Sequence, residues 1–69
     1  MEKLSAGQVW YQERGFDGYT EGHLVQDYTT DYFVVFDSSS GQIITRGKEK
    51  AVQKYLQENN FDLLPTRFV

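Results

Sequence analysis

The usual staples of a very small fold are missing from this chain. It has no cysteine and therefore no disulfide, and its single histidine, His23, offers no histidine cluster for a structural metal. No run of about 18 apolar residues is present, which excludes a transmembrane helix. The start, Met1-Glu2-Lys3-Leu4-Ser5, lacks the apolar stretch of a signal peptide. The absence of cysteine fits a reducing compartment, so a cytoplasmic protein is expected. Proline occurs once, at Pro65.

What remains must hold the fold by packing. The 69 residues suffice for one domain, 1–69, with residues 1–6 expected to be disordered and 65–69 to form a loose tail. A domain of this size buries only about 60% of the surface its unfolded chain exposes. A hydrophobic content of 39% argues against full disorder, and aromatics, at 16%, supply large side chains for a compact core. Charge is unevenly spread. Residues 1–37 carry two bases against seven acids, and residues 38–69 carry five bases against three acids. The net charge of −3 opposes non-specific binding to nucleic acid, which needs a positive field.

Along the chain, Gln8-Val9-Trp10-Tyr11-Gln12 reads as a strand between Gly7 and Gly15, with Trp10 on the face opposite Val9 and Tyr11. Residues 15–22, with three glycines, read as a loop, and Asp17-Gly18 as a type I′ turn within it. His23–Tyr28 is a second strand, followed by a short turn over Thr29–Asp31. Tyr32-Phe33-Val34-Val35-Phe36 is the strongest strand signal and is apolar on both faces, as expected of a central strand covered on both sides. Asp37–Gly41 is a turn, and Gln42–Thr45 returns as the partner strand. From Lys48 to Asn59, Ala51, Val52, Tyr55 and Leu56 fall on one face of a helix. Thr45 or Gly47 is expected to cap its start, and Asn59-Asn60 to end it in a left-handed cap with Phe61 packing back. Phe61–Leu64 reads as a short last strand that Pro65 confines to a sheet edge.

The expected fold class is therefore α+β: a small antiparallel sheet of three to five strands with one C-terminal amphipathic helix packed on it. Gly7-Gln8-Val9, Asp17-Gly18-Tyr19, Leu24-Val25 and Tyr32–Asp37 together resemble the layout of SH3-like and Tudor-like small barrels over residues 7–46. The resemblance implies a curled sheet and a role in binding a partner. A three-turn helix before the last strand departs from it.

Sites of chemistry are sparse. His23 reads as a strand residue at the sheet surface, not as a general base for Ser38, Ser39 or Ser40. Asp27 and Asp31 are explained by turn chemistry before acid–base catalysis. The Asp37–Gly41 turn fails as a calcium loop, because its fifth position is Gly41 and its twelfth is Lys48. No phosphate-binding glycine motif is present. No enzyme, metal or cofactor is expected.

Two features point to binding instead. Phe16 and Tyr19 lie in the expected loop, where they form an aromatic tip or fold back on the sheet. Arg46, Lys48, Lys50 and Lys54 crowd the helix start, where the macrodipole prefers negative charge. Either acids such as Asp27 and Asp31 neutralise that cluster, or it is a docking patch for an acidic partner surface or a phosphate. The expectation is a non-enzymatic protein-binding module acting as an accessory, regulatory or inhibitor protein, with self-association as a variant. The alternative is a nucleic-acid-binding domain using sheet aromatics and the basic cluster.

Overall fold

Two registers of apolar residues, one on the sheet and one on the helix, meet in a shared core. The computed structural model describes residues 3–65, except for the side chain of Asp17. Its strands are β1 (Val9–Glu13), β2 (Tyr19–Asp27), β3 (Tyr32–Asp37), β4 (Ile43–Gly47) and β5 (Asp62–Leu63), with one helix, α1 (Glu49–Glu58), before the last. All neighbours pair antiparallel in the order β4-β3-β2-β1-β5. The sheet is open: β4 and β5 are its edges, each paired to one neighbour.

Strand alternation sorts the side chains. Trp10, Leu24, Phe33 and Val35 face the helix, which contributes Val52 and Leu56, and all six are buried. Ten residues make a helix that is marginal in isolation, so α1 depends on this contact. Each fully buried aliphatic side chain contributes about 1.5–3 kcal/mol. Phe61 closes the core by the expected route. Asn60 takes φ 61°, the Phe61 N–H donates to the Leu56 carbonyl, and the Phe61 ring packs on Tyr55. Leu4, within the stretch 1–6, is also buried, and its N–H donates to the Glu49 carboxylate at 3.0 Å. Of the tail expected over 65–69, residues 66–69 lie outside the described residues.

Four expectations need correction. First, residues 15–22 are not all loop: a 3-10 turn, Gly15–Asp17, replaces the type I′ turn, and Tyr19 already belongs to β2. Glu13 pairs with Tyr19 and Gln12 with Thr20, so the strand extends to the turn. Gly22 lies inside the strand, paired with Trp10 and Asp37, at a position too crowded for a side chain. A Cβ there would stand 2.7 Å from Val35 Cγ1. Second, β3 is covered on one side only: opposite the helix, no described element lies over Tyr32, Val34 and Phe36. Third, the residue at the helix cap is Lys48, with extended backbone and no capping side-chain hydrogen bond. Fourth, Ala51 is exposed and only Val52 and Leu56 of its face are fully buried.

Within β4, a β-bulge sets the position of Ile44. Val35 pairs with Thr45 but Phe36 with Ile43, which leaves Ile44 as the extra residue packed against the core.

Candidate functional site: the open face of the sheet

The helix occupies one face of the sheet, and the other carries a continuous row of large side chains. Cross-strand partners share a face, so the registers place Tyr19, Val25, Tyr32, Val34, Phe36 and Ile43 together, opposite the helix. Tyr19, Val25, Tyr32 and Ile43 are exposed, as is Leu64 beside β1; Tyr11, Val34 and Phe36 are half-buried. The rings pack on each other within the face. Tyr11 and Tyr19 meet edge to face, centroids 6.5 Å apart at 87°, and His23 lies on Phe36 at 5.7 Å. Such pairs stiffen the surface without covering it.

At the β1–β2 end this face deepens into a cleft of about 410 Å³, lined by Tyr11, Glu13, Tyr19, Glu21 and Leu64 and by Gly15 and Gly18. Gly15 (φ 65°) and Gly18 (φ 89°) bracket the 3-10 turn in left-handed conformations that side-chain-bearing residues adopt only with strain. The Glu21 carboxylate holds His23 Nε2 at 2.7 Å and accepts the Tyr19 hydroxyl at 3.4 Å. This is the one acid–base pair within 4 Å among the described residues. Glu13 has no hydrogen-bond or ionic partner among them. The cation next in sequence, Arg14, donates to Thr20 Oγ1 at 3.2 Å, and Thr20 alternates onto the helix side of the sheet.

The candidates from sequence separate in space. Phe16 is fully exposed on the 3-10 turn, beside the two glycines of the cleft but outside its lining. Tyr19 is a wall of the cleft. Arg46 pairs with Val34 and so belongs to the open face, at the β4 edge. Lys48 and Lys50 instead line a hollow at the helix start together with Lys3, Asp31 and Glu49, and Lys54 is exposed further along the helix. Arg46 is therefore set apart on the open face, whereas Lys54 follows Lys50 one turn along the helix. Asp31 and Glu49 lie beside Lys48 and Lys50, although no carboxylate comes within 4 Å of them among the described residues. Asp27 is turned to its own loop, where Oδ1 accepts the Thr29 N–H and hydroxyl.

Sequence reasoning missed Tyr11, Glu13 and Glu21 as a group. Their signal was the alternation Val9-Tyr11-Glu13 against Tyr19-Glu21-His23, which shows only once Tyr19 is placed in a strand. Among the described residues no three His, Asp or Glu side chains converge as metal ligands, and no helix is long and apolar enough to cross a membrane. Comparison with protein-family models, with curated proteins and with solved structures found no match for this chain.

Proposed function

We propose that the chain is a small, non-enzymatic, cytoplasmic protein-binding module, of accessory, regulatory or inhibitor type, that engages its partner through the open face of the sheet. One observation carries this reading. A sheet ordinarily buries its apolar face against another layer. Here a face with apolar side chains on every strand from β1 to β4 carries no second layer of described chain. Contiguous exposed apolar surface of this kind marks interaction sites. The tyrosines add ring area with a polar tip, a combination enriched at interface hot spots. The resemblance of residues 7–46 to small partner-binding barrels points the same way. Phe16 extends the surface at one corner as an anchor, and the basic helix start takes a secondary part. A nucleic-acid reading is disfavoured, since Glu13, Glu21 and Asp62 share the open face and would repel phosphates.

The test is affinity capture with mass spectrometry, comparing the wild type with Val25→Thr/Tyr32→Thr/Ile43→Thr. Threonine keeps strand preference while removing most of the apolar area. The expected outcome is a partner recovered by the wild type and lost with the variant. Recovery of the same proteins by both, with the variant folded by circular dichroism, would overturn the reading.

A further inference from the structure

We propose that the cleft between β1, β2 and the 3-10 turn binds an arginine side chain presented by the partner protein. This deepens the reading of the open face as a docking surface and rests on it. Among the described residues the cleft is lined by two tyrosine rings and two carboxylates and by no cation. A guanidinium stacks on an aromatic face and donates two parallel hydrogen bonds to one carboxylate, a fork geometry that an ammonium lacks.

The side chains are set for that task. Tyr11 and Tyr19, packed edge to face at 87°, both line the cleft and supply aromatic surface to it. Glu13 has no partner among the described residues and is free to take the guanidinium fork. Glu21 is held in place by Tyr19 and His23 and adds a second negative charge. Arg14, which could fill the cleft from within, is held by Thr20 on the other side of the sheet. Arg46, the cation of the open face, stands on β4, three strand spacings from β1, or about 14 Å. That exceeds the Debye length of about 8 Å at physiological salt, so it scarcely opposes an incoming cation. A volume of about 410 Å³ is at the scale of small-ligand sites and leaves room beside the arginine for an apolar neighbour against Leu64.

The experiment is an amide-resolved NMR titration of the whole chain at low salt. The probe is the capped peptide acetyl-Gly-Arg-Leu-Gly-amide, matched by one with citrulline, the neutral isostere, in place of arginine. The arginine peptide is expected to shift the amides of Glu13, Gly18 and Tyr19 saturably, with a dissociation constant on the order of 1 mM. The citrulline peptide is expected to leave them unmoved. Glu13→Gln, an exposed and conservative change, is expected to weaken binding about fivefold, and Tyr19→Leu, which keeps bulk but removes the ring, by a similar factor. Equal shifts from both peptides, unaltered binding by Glu13→Gln, or silence of the cleft amides at about 10 mM arginine peptide would each overturn the proposal. Concentration-dependent shifts of the same amides without peptide would also overturn it, by assigning the cleft to a second copy. Failure here is separable from failure of the docking surface. A partner lost with the Val25/Tyr32/Ile43 variant but insensitive to the arginine peptide leaves the open face standing without the cleft.

Discussion

A Cβ added to Gly22 would meet Val35 Cγ1 at 2.7 Å and Ile44 Cδ1 at 3.4 Å. Val35 is fully buried and β-branched, so it has little freedom to move away. Gly22→Ala should therefore overpack the core and lower stability by about 1–3 kcal/mol in urea denaturation. An unchanged midpoint would show that β2 and β3 can separate at this point. Asp27 makes the second residue-level prediction. The Thr29 hydroxyl and then the Thr29 N–H bond its carboxylate, holding its pKa below the ordinary 3.8. A depressed carboxyl stabilises the fold fully above its unfolded pKa, and that contribution is lost as pH falls through the lower, folded value. Thr29→Val removes the hydroxyl at constant shape. The carboxyl titration of Asp27, followed by NMR, should then move up toward 3.8; an unmoved titration would mean the hydroxyl is not the main cause.

At the scale of elements, the helix begins poorly. Lys48 occupies the cap with φ −71° and ψ 165°, a suitable backbone, but its side chain accepts no hydrogen bond and places a cation at the positive end of the dipole. Lys48→Asp supplies an acceptor and reverses the charge. It should stabilise the chain by about 0.5–2 kcal/mol in thermal melts. No gain would mean that Glu49, next in the first turn, already meets that demand. The elements also show what a sequence can convey. β3, β4 and α1 were legible because their hydrophobic periods are local and strong. The start of β2 was not, because glycine signals either a turn or a close approach. At Gly22 the decision belongs to Trp10 and Val35, residues on other strands. The bulge at Ile44 is likewise set by the pairing of β3 with β4. For the candidate site, Tyr19 was found from its aromatic character, while Glu13 and Glu21 became neighbours only through the β1–β2 register. Arg46 and Lys48, two residues apart in sequence, are divided by the strand-to-helix junction, so the linear cluster of charge did not show that Arg46 belongs to the open face.

For the molecule as a whole, the helix covers one face of the sheet, leaving the other bare of described chain. That face is also polarised, with Glu13, Glu21 and Asp62 on β1, β2 and β5 and Arg46 on β4. A partner with the opposite polarity would dock in one orientation, since complementary charge fixes register more than it adds affinity. The apolar area between supplies the driving force. A chain of 69 residues has little core to spare, and a partner that binds only the folded form would raise its stability by mass action. If the open face docks a partner, it is covered in the cell. Hydroxyl-radical footprinting tests it most directly, comparing the purified protein with the protein in the cells that make it. Tyr28, in the β2–β3 turn and 80% exposed, serves as an internal reference beside Tyr19, which is 60% exposed on the open face. Tyr19 and Tyr32 are expected to lose reactivity in the cell relative to Tyr28; the same reactivities relative to Tyr28 in both settings would overturn the open face as an interface.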